Sequence, residues 1–242
     1  MTHFSNFFLN ARVFLTSNFR KLANDVPYEP QVVRLVTTIV KEQWICADVG
    51  ANVGKITLLL GNLVGVKGHV YAFEAHPDNA TILKANIEQK HRTNVTVENF
   101  AVSDGNSDKA WIFPGRDRRS EEWNIVGHDV DGNQTEPELE IPATSLDSYF
   151  SSDAPLHFVK IDVEGAEAQV LRGMRRILTN QQPIVLVEFH DEDGWEGRSE
   201  LFHAGYRMFD LKGHFLDSNK HPKRIYQCVF YPTEASHGKT VP

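Results

Sequence analysis

Asp48-Val49-Gly50-Ala51-Asn52-Val53-Gly54 is the stretch on which the reading of the fold turns. An apolar run, Trp44-Ile45-Cys46-Ala47, precedes it and a helical stretch, Lys55 to Val64, follows, so the local order is strand, glycine turn, helix. Glycine permits positive φ and close approach of a ligand to the backbone. The helix start adds unpaired N–H groups and the positive end of a dipole, a place suited to an anionic or carboxylate-bearing cofactor. The spacing counts against two common guests. The nicotinamide fingerprint needs Gly-x-Gly-x-x-Gly, but position 52 is Asn and no third glycine arrives until Gly61, inside the helix. A phosphate-binding P-loop needs Lys followed by Ser or Thr, and Gly54-Lys55-Ile56 lacks the hydroxyl. Asp48 before the first glycine suits a ligand with a cationic or amine-bearing group. A turn of this kind also occurs with no ligand at all.

Downstream, Ile56, Leu59, Leu60 and Leu63 share one helical face, and Gly65 and Gly68 end that helix. His69 to Phe73 reads as a second strand ending at Glu74, and Pro77 suits the first turn of a helix carrying Ala80, Leu83 and Ile87. Val95 to Asn99 reads as a third strand running into Phe100 to Asp104. This βαβαβ order predicts parallel strands with right-handed crossovers. The pattern resumes with a strand at His157 to Asp162, then one helix with Val170, Leu171, Met174, Ile177 and Leu178 on a face. Pro183 to Glu188 is a near-continuous apolar strand, which predicts a sheet covered on both faces. Trp195 to Ala204 reads as a helix, and Tyr206 to Phe209 with Ile225 to Phe230 as a closing pair of strands.

Three regions stand apart. Lys109 to Phe113 and Leu139 to Ile141 read as partner strands around a polar insertion, Pro114 to Pro137. Its Arg116, Arg118, Arg119, Trp123 and His128 suit a substrate-recognition lid, and its composition suits a solvated loop equally. Val32, Leu35, Val36, Ile39 and Val40 mark a lead-in helix before the first strand. Ahead of it, in an extension covering residues 1–30, Phe4, Phe7, Phe8, Ala11, Leu15, Phe19 and Leu22 recur at helical spacing. That segment reads as a helix packed on its own domain, with a lid, a contact for a homo-oligomer or a membrane-surface anchor as the functional readings. Residues 31–242 carry no linker and read as a single domain.

Composition narrows the class. The chain has 242 residues and a net charge of -7, which fits one α/β domain and argues against sequence-independent nucleic-acid binding. Cys46 and Cys228 sit in apolar runs and read as buried thiols of a reducing compartment. No apolar run nears the roughly 20 residues of a membrane span, and the N-terminus shows no signal-peptide pattern, so a cytoplasmic enzyme without a transmembrane segment is expected.

In an open parallel sheet, ligands bind beyond the carboxyl ends of the strands. Asp48, Glu74, Asn99, Asp162, Glu164, Glu188 and His190 all fall there. Glu74, at the end of the second strand, is placed to accept hydrogen bonds from ribose hydroxyls. Ribose belongs to nicotinamide cofactors and to S-adenosylmethionine alike. The latter has no pyrophosphate and needs no third glycine, so the turn favours it.

Three stretches resemble the FkbM family of S-adenosylmethionine-dependent methyltransferases. The first is Asp48 to Gly54. The second is Val70 to Pro77, where Ala75-His76 replaces the family's usual Glu-Pro sequence before Pro77. The third joins Thr144-Ser145-Leu146-Asp147 to the specific run Val159-Lys160-Ile161-Asp162-Val163-Glu164-Gly165-Ala166-Glu167. The resemblance covers roughly residues 45 to 190. It implies an α/β, Rossmann-like, doubly wound sheet of seven mostly parallel strands with a terminal antiparallel strand and helices on both faces. It implies methyl transfer, commonly to a hydroxyl of a sugar or natural product, with a small-molecule acceptor as partner. Carried over, Asp48, Gly50, Asn52 and Gly54 contact the methionine part of the cofactor, Glu74 holds the ribose, and Asn99, Ala101 and Val102 lie near the adenine.

An alcohol acceptor calls for a base or a metal. Asp162, Glu164 and His190 are the candidate bases, and Asp162, Glu188 and Asp191 are candidate oxygen ligands for Mg²⁺. His190 also reads as a cap or surface residue, Glu164 and Glu167 as first-turn helix carboxylates, and Lys160 as a structural partner of a neighbouring carboxylate. A nicotinamide-dependent oxidoreductase and a non-catalytic cofactor-binding module are the rival classes.

Overall fold

A computed structural model of the chain describes residues 29–114, 123–124, 139–218 and 227–233. The amphipathic segment from Phe4 to Leu22, nearly all of the polar insertion with its arginines and His128, and Ile225-Tyr226 lie outside the described residues. In chain order the elements are α1 (Pro30–Ile39), β1 (Ile45–Val49), α2 (Lys55–Val64), β2 (His69–Phe73), α3 (Pro77–Gln89), β3 (Val95–Glu98), β4 (Ala101–Val102), β5 (Lys109–Pro114), β6 (Trp123–Asn124) and β7 (Leu139–Thr144). There follow α4 (Leu146–Tyr149), β8 (Phe158–Ile161), α5 (Glu167–Arg172), α6 (Arg175–Asn180), β9 (Ile184–Glu188), α7 (Glu192–Gly197), α8 (Ser199–His203), β10 (Tyr206–Phe209) and β11 (Gln227–Pro232).

Seven strands form one sheet in the order β10-β11-β9-β8-β1-β2-β3. β1 pairs in parallel with β2 and β8, and parallel pairing continues through β3 and β9. β11, the last strand among the described residues, runs antiparallel to both β9 and β10, one place inside the edge. The Rossmann-like α/β sheet with a reversed terminal strand is therefore present. Successive side chains on a strand point to opposite faces, and the core divides accordingly. Cys46, Val70, Phe158 and Leu186 meet Val36 of α1 and Leu60 of α2 on one face. Ala47, Val159, Val185 and Val187 meet Val170, Leu171, Ile177 and Leu178 of α5 and α6 on the other. Cys46 and Cys228 are free, buried and on opposite faces. Among the described residues no helix is long and apolar enough to cross a membrane.

Three expectations change, the helix read from Trp195 to Ala204 being α7 and α8, divided at Arg198. The third strand does not run on to Asp104: β3 stops at Glu98, and Ala101-Val102 joins a second, four-stranded sheet in the order β4-β7-β5-β6. Asn99 causes the break. Its Nδ2 donates to the carbonyls of Glu74 (2.9 Å) and Ala75 (3.0 Å), which pins the chain beyond β2. Ala101 then packs with Ala110, Ile112 and Ile141 under the expected β5–β7 pair. The single helix predicted through Val170 and Leu178 is likewise two, divided at Gly173 and Met174. A Cβ at Gly173 would lie 2.0 Å from Ser103 O, so the backbones meet there. The Asp147 carboxylate accepts from Arg176 N (2.8 Å) and Ile177 N (3.0 Å), which starts α6 afresh.

Candidate active site

The glycine turn sits between β1 and α2 with three positive φ values, Gly50 (+78°), Asn52 (+49°) and Gly54 (+95°). Its N–H groups are satisfied within the chain. Gly50 and Ala51 both donate to Phe73 O (3.0 Å), Asn52 to Glu74 Oε2 (2.7 Å), Val53 to Asn52 Oδ1 (2.6 Å) and Gly54 to Ala51 O (2.9 Å). The turn is thus a preset shape rather than a row of open donors. Glu74 is fixed from both sides, because its Oε1 accepts from His76 N (2.9 Å). Burial pushes the Glu74 carboxyl up, against the hydrogen bonds from His76, Asn52 and Asn79. A carboxylate offers about four lone-pair sites, so Glu74 retains capacity for a ribose hydroxyl.

Asp48 occupies a different place from the one its spacing suggests. Two residues after Cys46, it faces α2 and is fully buried; Oδ2 accepts from Thr57 Oγ1 (2.6 Å) and Oδ1 lies 3.8 Å from Lys160 Nζ. Burial raises its pKa, against the Lys160 charge and the Thr57 bond. The side chain supports the turn from beneath. Ala101 and Val102 are buried in β4, and Asn99 is the clamp already described, so the structure uses all three to build the wall beyond β2.

A chain of charges crosses the ends of β8 and β9. Lys160 Nζ donates to Asp162 Oδ2 (2.8 Å). Burial alone would raise the Asp162 carboxyl, but Lys160 and His190 overcome it and hold it below the usual carboxylate range. His190 Nε2 lies 3.6 Å from Asp162 Oδ1 and 3.4 Å from Glu164 Oε1, while Nδ1 lies 2.6 Å from Glu167 Oε1. Burial works to lower the His190 pKa, yet the Glu167 bond and the charges of Glu167, Glu164 and Asp162 push it up to about 9. Glu164 reaches this cluster from a left-handed backbone, φ +50°, beside Gly165 at +98°. Such a conformation is uncommon for glutamate and is held where surrounding structure fixes it. The structure therefore brings all three candidate bases together.

The Mg²⁺ ligand set assembles only in part. Ligand atoms of Asp162 and Glu188 lie within 4.8 Å of each other, but the third member of that cluster is His190. Asp191 instead caps α7, its Oδ1 accepting from Gly194 N (2.7 Å). Mg²⁺ asks for near-octahedral oxygen ligands, and the third ligand atom here is an imidazole nitrogen in place of the expected carboxylate. Glu188 Oε2 already accepts from Gln227 Nε2 (2.7 Å), which also donates to Glu29 Oε2 (2.8 Å). These groups fit an ion-pair network, not a Mg²⁺ site.

Glu167 is the first-turn carboxylate of α5 that the sequence suggests, and it is also fully buried, which the first-turn reading alone does not supply. The signal was present: Glu167, Val170, Leu171 and Met174 fall at i, i+3, i+4 and i+7, the buried stripe of a helix. A carboxylate on such a stripe needs a partner.

The model of the FkbM methyltransferase domain matches residues 48–208. The chain belongs to the FkbM methyltransferase family. The match runs from Asp48 through the turn, Glu74, the Asp162 loop and His190, and retires the nicotinamide reading. Gln227, which donates to Glu188, and Glu29, to which Gln227 also donates, lie outside it. The hexuronic acid methyltransferase AglP of Haloferax volcanii is 26% identical over 171 residues, 69% of this chain. The chain spans 64% of that relative's length. Among solved structures, the FkbM methyltransferase of Methylobacillus flagellatus is 16% identical, with a TM-score of 0.49 over 88% of this chain and 57% of that one. Aeropyrum pernix fibrillarin, solved with natively bound S-adenosylmethionine, is 12% identical, with a TM-score of 0.48 over 83% of this chain and 73% of that one.

Proposed function

We propose that this FkbM methyltransferase transfers a methyl group from S-adenosylmethionine to a sugar hydroxyl, with His190 accepting the hydroxyl proton at Nε2. The observation that carries the reading is the His190 ring, anchored at Nδ1 by Glu167 with Nε2 between the carboxylates of Asp162 and Glu164. Family membership and the hexuronic acid relative support the donor and the sugar. Bound S-adenosylmethionine supplies an electrophilic methyl group. Glu74 would hold its ribose, the Gly50-to-Gly54 turn its methionine part, and the wall of Asn99, Ala101 and Val102 its adenine. His190 removes the proton as oxygen takes the methyl group, and Asp162 and Glu164 stabilise the imidazolium that results. Their negative charge also favours a hydroxyl over a sugar carboxylate as the acceptor. The sugar would be a free small molecule or part of a glycan.

Incubation with isotopically labelled donor and a panel of neutral and uronic sugars, read by mass spectrometry, tests this. The expected product carries one labelled methyl group in an alkali-stable ether, formed at an undiminished rate in excess EDTA. An alkali-labile methyl ester would place the methyl group on a carboxylate, where no base is needed, and would overturn the role of His190.

The pH dependence has a definite sign. The competent form of a base is the unprotonated one. With the His190 pKa near 9, only about one molecule in a hundred carries neutral imidazole at pH 7. The rate with saturating donor is expected to rise about tenfold per pH unit from 7 towards 9 and then level. A profile that falls across that range would show that the imidazolium is the active form.

A further inference from the structure

We propose that Glu167 is a positioning residue for methyl transfer, which fixes the ring and tautomer of His190 so that Nε2 faces the acceptor. The inference rests on the reading of His190 as the proton acceptor. Glu167 opens α5 and is fully buried. Its Oε1 accepts from Gly165 N (3.0 Å) and lies 2.6 Å from His190 Nδ1, and its Oε2 is buried with no hydrogen-bond partner among the described residues. His190 is the only ion-pair partner of Glu167 among the described residues. A buried carboxylate of this kind is a poor way to gain stability, since desolvation offsets much of the attraction. The fold nevertheless makes room for it. A Cβ at Gly194 would lie 2.4 Å from Glu167 Oε2, so the first turn of α7 is open where the carboxylate lies.

The geometry assigns the proton. A carboxylate accepts only, so Nδ1 carries hydrogen and the lone pair of the neutral ring falls on Nε2. Glutamine at 167 keeps the size and an oxygen for Nδ1 but removes the charge and can equally present its NH₂ group to the ring, releasing the tautomer. A carboxylate that served α5 alone would bond only amides at the helix's own start; Glu167 bonds Gly165 N there and also joins α5 to His190, two residues past β9.

The test compares wild type, Glu167→Gln, His190→Asn and the double variant for kcat, acceptor KM and S-adenosylhomocysteine Kd. Compared on the pH plateau above the His190 pKa, where the ring is neutral in both proteins, Glu167→Gln is expected to lower kcat by about 10- to 100-fold, with KM and Kd within about twofold. It should cause no further loss on the His190→Asn background, because coupled residues act as a unit. A wild-type kcat for Glu167→Gln beside an inactive His190→Asn overturns the role of Glu167 and leaves that of His190 standing. A wild-type kcat for His190→Asn overturns the reading beneath it. Should Glu167→Gln not fold, nitrogen-edited NMR of the wild-type protein, at a pH where His190 is neutral, reads the tautomer directly. Hydrogen on Nδ1 is expected, and hydrogen on Nε2 overturns the proposal.

Discussion

Replacing His190 with asparagine is expected to lower turnover by about 10²- to 10⁴-fold, the range for loss of a general base. Asparagine keeps a polar group of similar reach but cannot take a proton at neutral pH. The turn, Glu74 and Asn99 are held by bonds that do not involve position 190, so S-adenosylhomocysteine should bind with unchanged affinity. A stability effect accompanies the loss. His190 is the cation among Asp162, Glu164 and Glu167, and removing it leaves Glu167 buried and unpaired. Breaking a buried pair from one side costs about 3–5 kcal/mol, so the variant should melt several degrees lower and be assayed well below that temperature. Single-turnover kinetics with bound donor separates the chemical step from acceptor binding. If that step proceeds at the wild-type rate, His190 is structural and the proton leaves by another route.

The main sheet was legible because its information is local. Runs such as Ile184 to Glu188 carry their own two-sided burial, and glycines and prolines mark where each crossover begins. The strand ends that collect chemistry were legible for the same reason, since parallel order alone puts Asp162, Glu188 and His190 at one end. What the sequence hid depends on side chains bonding across elements. Asn99 reads as the last residue of a strand, yet its amide holds two carbonyls 24 and 25 residues earlier and diverts the chain into a second sheet. Asp147, within one of the family-like stretches, caps α6 about 30 residues later. Asp48 looked like a ligand contact from its place beside a glycine, whereas strand alternation turns it towards Thr57 and Lys160. Glu29 and Gln227 stand 198 residues apart, and no pattern joins them to Glu188.

Gly50→Ala is expected to abolish the cofactor site and to lower stability by about 2–5 kcal/mol. Two effects add. Gly50 has φ +78°, a left-handed conformation that costs an L-residue about 1–2 kcal/mol. A Cβ there would also lie 1.7 Å from Asp162 O, 2.7 Å from the Asp162 carbonyl carbon and 3.3 Å from Val163 Cγ1. The obstacle is backbone, so no rotamer relieves it, and overpacking of this sort costs about 1–3 kcal/mol more. The ends of β1 and β8 must part. That displaces Gly50 and Ala51 from Phe73 O, Asn52 from Glu74, and Asp162 from Lys160 and His190, so donor and proton acceptor lose their places together. S-adenosylhomocysteine affinity should fall at least about tenfold, a change of 1.4 kcal/mol, with kcat falling further. Gly65→Ala is the matched control. Gly65 also has positive φ, +66°, but a Cβ there meets nothing within 4 Å. With ψ -175° it lies in a region open to little but glycine, so Gly65→Ala should be strained in its own right and still leave affinity unchanged, and calorimetry on the two variants separates strain at a glycine from closure of the turn against β8. Equal affinities for Gly50→Ala and Gly65→Ala would mean that the contact between Gly50 and Asp162 does not set the cofactor site.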